Sequence, residues 1–201
     1  MPFRQTLTWI SARLRLANAG RMPALLMDRR IVIVGFMGCG KTTVARALSV
    51  LLECDMLDLD SLISEQENKT IAELIQERGE SGFRRAETFM LNAVLQRKTA
   101  QIIALGGGAW TVETNRDLVK AVKGVVVFLD APFDLCWRRI EEQETVRPLA
   151  LDRSSAHKLY RERHSIYQLA NLTITVSGDQ SADELAAEIV AATKRRRFIK
   201  T

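Results

Sequence analysis

The sequence predicts a three-layer α/β/α fold, a parallel β-sheet covered by helices on both faces. Two observations carry this. Short β-branched runs alternate with helix-period segments from Ile31 onward, and glycine clusters directly follow two of those runs. Size agrees: 201 residues, 47% hydrophobic and 26% charged, suit one globular domain with a substantial core.

The elements follow in order. Ile31–Val34 reads as a buried strand, and glycines and a helical stretch from Lys41 to Leu52 come next. Met56–Leu57 is a short strand ending at acids, followed by three helical segments near 60–67, 70–77 and 83–97. Gln101–Leu105 is β-rich and closes on three glycines; a helix near 113–122 follows, then Val125–Leu129, the clearest buried strand. Helix 132–142, a polar segment, helix 155–169, strand 172–176 and helix 181–196 complete the pattern. No internal repeat or low-complexity linker interrupts it.

Charge is concentrated at the ends. Residues 1–21 contain Arg4, Arg13, Arg15 and Arg21 and no acid, and residues 194–201 contain five bases and no acid. Removing those nine charges from the net +5 leaves −4 on residues 22–193. This favours solvated basic ends over a nucleic-acid or membrane surface. Residues 1–28 read as an extension, whether floppy, an Arg-rich targeting segment, or the product of a start upstream of Met22 or Met27. No run approaches the roughly 20 apolar residues that span a bilayer. Cys39, Cys54 and Cys136 are odd in number and show no paired spacing, which fits reduced thiols in a cytoplasm. His157 and His164 read as surface helix residues.

Gly35-Phe36-Met37-Gly38-Cys39-Gly40-Lys41-Thr42 fits G-x-x-x-x-G-K-[ST], with a strand before it and a helix after it. Such a loop turns backbone N–H groups of Gly38, Cys39, Gly40, Lys41, Thr42 and Thr43 toward phosphate oxygens, at the positive end of a helix. Lys41 places an ammonium on the β- and γ-phosphates, and the Thr42 hydroxyl suits Mg²⁺. The pattern therefore predicts a nucleoside triphosphate with Mg²⁺. A guanine-specifying N-K-x-D motif is missing, because Asn68-Lys69 is followed by Thr70-Ile71. Cys39 is either a small filler or a thiol activated by the helix terminus.

Further residues suggest an acceptor. Asp58 and Asp60 end the second strand, where alternation puts both carboxylates on one side, as metal and hydroxyl ligands or as helix caps. Arg84 and Glu87 share a helix face, so a held guanidinium either meets a substrate carboxylate or forms a surface ion pair. Gly106-Gly107-Gly108 after a buried strand predicts close approach to the backbone, or a loose loop. The polar stretch 141–152, carrying Arg147-Pro148-Leu149, reads as a lid that closes over ATP, or as an ordinary solvated loop. Asp130, at the end of the clearest strand, is a rival to Asp58 for the metal.

The cradle, Asp58-x-Asp60, Phe83-Arg84-x-x-Glu87, Leu105-Gly106-Gly107-Gly108, Arg147-Pro148-Leu149 and Arg163-x-x-x-Tyr167 occur in the order seen in shikimate kinases, and the chain resembles that family over about residues 29–193. The resemblance implies a P-loop kinase of the nucleoside-monophosphate-kinase type, with a five-stranded parallel sheet and a mobile lid near 141–154. It implies ATP and Mg²⁺, with transfer to the 3-hydroxyl of shikimate in aromatic amino-acid biosynthesis. Lys41, Asp60 and Arg147 would be catalytic, with Arg147 on the phosphates. Arg84 and Arg163 would clamp the carboxylate beside the Gly106–Gly108 backbone. Thr42 and Asp58 would serve the metal, and Arg139 and Gln180 would lie near adenine. A cytoplasmic monomer is expected, with neither nucleic acid nor membrane as partner. The chain departs from the family pattern at Ser165-Ile166, at Ala150, and in a stretch between Arg139 and Arg147 that is one residue longer. Another small-molecule P-loop kinase and a nucleotide-binding regulator remain the rival readings.

Overall fold

The computed structural model describes residues 29–97, 100–142 and 152–197. The first strand, β1 (Ile31–Val34), is buried at every position and hydrogen-bonded on both sides. Continuous Ile/Val runs are what a parallel strand covered on both faces requires. Burying each such side chain stabilises by about 1.5–3 kcal/mol.

Helix α1 (Lys41–Leu52) follows, and strand β2 (Met56–Asp58) leads directly into α2 (Leu59–Glu67). Next is α3 (Ile71–Arg97), one run with a non-helical residue, Gly79, at φ 69° and ψ 167°. The sequence reading divided this run into separate helices at 70–77 and 83–97. The structure bears out two helices, which meet across a kink at Gly79, a conformation that glycine adopts without a Cβ clash, and helix reaches closer to that kink than the reading placed it. Strand β3 (Ile102–Ala104), a single 3-10 turn (Ala109–Thr111) absent from the sequence reading, and α4 (Glu113–Ala121) come next. Strand β4 (Val125–Asp130), α5 (Phe133–Glu141), α6 (Arg153–Tyr167), β5 (Leu172–Thr175) and α7 (Ala182–Arg197) finish the fold. Asp152 starts α6 with a reciprocal cap, its carboxylate accepting from Ser155 N–H at 2.9 Å and its own N–H donating to Ser155 Oγ at 3.3 Å.

The sheet is five-stranded and parallel, in the order β2-β3-β1-β4-β5. From β1 the chain passes first to one side of the sheet and later, through β4, to the other. Ligands of open α/β sheets bind at the carboxyl ends of strands beside such a switch. Three loops meet there: the glycine loop after β1, the acids after β2 and the glycine triplet after β3. No helix among the described residues is long and apolar enough to cross a membrane.

Candidate active site

Gly38 and Gly40 adopt φ 77° and 97°, so the loop after β1 curls in a way that L-side chains resist. A Cβ on Gly38 would meet the Cys136 carbonyl oxygen at 2.5 Å, so α5 packs against bare backbone there. Gly40 is the N-cap of α1 and supplies no side-chain cap, which leaves the first N–H groups of that helix for an anion. Lys41 Nζ donates to the Phe36 carbonyl at 2.9 Å, holding the ammonium over the loop. Thr42 Oγ1 donates to Asp58 Oδ2 at 2.5 Å. Asp58 Oδ1 accepts from Ser61 N–H at 3.1 Å, so the same carboxylate caps α2 and meets the cradle hydroxyl. The helix-cap reading of Asp58 is therefore met in the structure.

A cavity of about 430 Å³ opens over this loop. Gly38, Cys39, Gly40, Lys41, Thr42 and Thr43 form its floor, with Asp58, Asp60, Arg139 and Gln180 around it. Arg139 Nη1 donates to the Gly38 carbonyl at 3.5 Å, and Gln180 Oε1 accepts from Ser177 N–H at 2.9 Å. Two hard oxygens in contact, Thr42 Oγ1 and Asp58 Oδ2, suit Mg²⁺, which takes few protein ligands and completes its shell with water and phosphate.

A second, smaller pocket adjoins it, lined by Asp60, Arg84, Glu87 and Arg163 with Gly106, Gly107 and Gly108. Met37, Asp60 and Gly107 border both cavities, so the two share a wall. Ile71, Ile75 and Phe83 supply an apolar side. Arg84 Nη1 donates to Glu87 Oε2 at 2.8 Å and Nη2 to Glu80 Oε1 at 3.3 Å. Glu87 is fully buried, which decides against the surface-ion-pair reading. Burial pushes its carboxyl up to about 7, against the pull of Arg84. Arg163 is also buried, and Tyr167, one turn later on α6, donates from its hydroxyl to the Gly107 carbonyl. The glycine triplet is the reverse of loose. A Cβ on Gly106 would strike Asp60 Oδ1 and stand 2.9 Å from Glu87 Oε1, and one on Gly108 would run into the Arg84 guanidinium. The following turn is pinned by Asn115 Nδ2 to the Ala109 carbonyl at 2.9 Å and Thr111 Oγ1 to the Gly108 carbonyl at 2.7 Å.

Three expectations change. Asp60 sits in the first turn of α2, so helix geometry, not strand alternation, aims it beside Asp58. The Cys39 thiol is buried and burial raises its pKa, so desolvation outweighs the helix terminus and the activated-thiol reading fails. His164 is half-buried instead of a surface residue, its Nε2 3.1 Å from Asp130 Oδ1 and its ring against Phe128. That pairing engages Asp130, which does not line the cavity over Lys41. Arg147 lies outside the described residues.

The shikimate kinase family model matches residues 37–194. The chain belongs to the shikimate kinase family. It is 40% identical over 161 residues to a shikimate kinase of Lactococcus lactis, covering 79% of this chain and 94% of the relative. It is likewise 40% identical over 162 residues to one of Helicobacter hepaticus, covering 80% and 93%. The solved structure of an Acinetobacter baumannii shikimate kinase in complex with shikimate superposes with a TM-score of 0.78 at 34% identity, covering 87% of this chain and 98% of that one.

Within this shikimate kinase fold, several pocket residues escaped sequence reasoning. Met37 is an unconstrained position of the cradle motif, and nothing in the sequence marked it as the wall between two cavities. Ile71 and Ile75 show an i,i+4 apolar pair that signalled a buried face without saying what it faces.

Proposed function

We propose that the chain transfers the γ-phosphoryl group of ATP to the 3-hydroxyl of shikimate, forming shikimate 3-phosphate for aromatic amino-acid biosynthesis. The observation that carries this reading is the shared wall: Asp60 borders both the Lys41 cavity and the pocket containing Arg84 and Arg163. A triphosphate over the cradle and a hydroxylated carboxylate in the pocket would meet at that residue.

The cradle N–H groups and the N-terminus of α1 bind and orient the phosphates. Lys41 neutralises charge that develops on the transferring group. Thr42 and Asp58 would hold Mg²⁺, which would supply positive charge to the phosphates. Asp60 accepts a hydrogen bond from the acceptor hydroxyl and turns its lone pair toward the phosphorus. Arg84 and Arg163 grip the carboxylate, and Glu87 fixes the angle of the Arg84 fork. Arg147 would close over the phosphates from the segment 141–154. Arg139 and Gln180 border the cavity where the base would lie.

The domain spans residues 29–193, between an N-terminal extension and a basic tail. A monomer is inferred, and three free thiols suit a reducing cytoplasm. An acceptor panel tests the reading. ADP release should depend on shikimate and fail with gluconate or a nucleoside, which offer the paired arginines no such carboxylate geometry or none at all. Equal release with every acceptor would refute it.

A further inference from the structure

Glu87 carries an unexplained oxygen. Its Oε2 accepts from Arg84, while its Oε1, fully buried, has no hydrogen-bond partner. Buried polar atoms are nearly always paired, because an unpaired one keeps its whole desolvation cost. This oxygen also faces another carboxylate. Glu87 Oε1 and Asp60 Oδ1 converge on the side of Gly106 where a Cβ would otherwise stand, and only glycine leaves that space. The charges around Glu87 come from every packed element: Arg84, itself paired to Glu80, on α3; Asp60 on α2; Arg163 on α6. Burial and Asp60 raise the Glu87 carboxyl, and the two guanidinium groups hold it down, leaving it at about 7.

An arriving substrate carboxylate competes for both guanidinium groups and expels the water beside them. Both effects favour the neutral acid. We propose that Glu87 takes up a proton when a substrate carboxylate engages Arg84 and Arg163, so that acceptor binding and protonation of this residue are one linked event. This rests on the acceptor reading given above. One proton passes from solvent to the Glu87 carboxylate, and no bond of the substrate is made or broken. The neutral acid relieves the like-charge contact with Asp60, and it frees Arg84 charge for the substrate. Glu87 is thus a positioning residue whose charge state sets the strength of the clamp. By linkage, shikimate affinity falls as pH rises between the value of Glu87 in the free protein and its higher value in the complex, by up to about tenfold per pH unit.

Calorimetric titration of shikimate into the full chain, without nucleotide, at about pH 7.5 in phosphate and in Tris tests this, because binding heat differs between buffers only where protons move. The expected result is net proton uptake by the wild type, and in Glu87→Gln, which mimics the neutral acid, pH-independent binding without uptake and at least as tight as the wild type's at this pH. Binding without uptake, or the same uptake in Glu87→Gln, overturns the proposal while leaving the functional reading intact. No shikimate binding at all sinks both. Should the variant fail to fold, infrared difference spectra of the wild type decide. A protonated-carboxyl band must grow on adding shikimate, and its absence overturns the proposal.

Discussion

Gly108→Ala should disable the carboxylate clamp without unfolding the protein. The new methyl carbon would stand 2.7 Å from Arg84 Nη1 and closer still to Nη2 and Cζ. Ordinary contact between such atoms needs about 3.5 Å, so the guanidinium must retreat by about 1 Å or more. Gly108 itself has φ −104°, which alanine adopts freely, so the backbone pays no strain. The displaced atoms are the end of a flexible side chain, so relief comes from breaking Arg84 away from Glu87 and Glu80 rather than from moving the sheet. A misplacement of this size at a positioning group costs on the order of 10²-fold in kcat/KM. The assay is coupled ADP release across a shikimate titration, with nucleotide affinity and melting temperature measured beside it. Shikimate kcat/KM should fall while ATP affinity holds. A variant with unchanged shikimate KM and kcat, or one that loses ATP binding to the same degree, would refute the placement of Arg84 against this glycine.

Other consequences follow from the same geometry. Tyr167→Phe removes the donor to the Gly107 carbonyl, a loss of about 1 kcal/mol and so roughly 2–4 °C in melting temperature, with a raised shikimate KM because Arg163 sits one turn away on α6. Asp58→Asn should raise the Mg²⁺ requirement by about 10–100-fold, whereas Asp130→Asn, engaged with His164, should leave it unchanged; the reverse ranking in Mg²⁺-dependent rates would move the metal to Asp130. Glu87 should also tilt stability with pH. Its folded value of about 7 exceeds the usual 4.5, so the fold binds the proton more tightly than the unfolded chain. That contribution is full below 4.5 and disappears as pH rises to about 7. The melting-temperature difference between wild type and Glu87→Gln should decline across that window, and a flat or rising difference would contradict the burial argument.

The parts of the fold most legible in the sequence are those whose environment is uniform. Strands β1 and β4 are covered on both faces, so an unbroken apolar run marks them. The break between the two helices was legible, but its place at Gly79 was not, because Gly79 and Gly82 are equally able to interrupt a helix. At the site, the cradle could be read because motif, strand and helix are local to one stretch of chain. The choice between Asp58 and Asp130 could not, since each ends a strand, and only Thr42 and His164, which reach them from elsewhere in the fold, distinguish the two. The same holds for Glu87. Its spacing from Arg84 was visible, but its burial, and its approach to Asp60 across Gly106, depend on β3 lying between β2 and β1. Glycines 106 and 108 signalled a close approach without naming the partners, which prove to be side chains of this same chain.

In the proposed reaction a phosphoryl donor and a carboxylate-bearing alcohol meet at Asp60. This meeting is tested most directly by measuring ADP release from ATP and Mg²⁺ with and without shikimate, in the wild type and in Asp60→Asn. Release should depend on shikimate in the wild type and collapse in the variant with ATP binding intact. Release that ignores shikimate, or survives in Asp60→Asn at the wild-type rate, would contradict it.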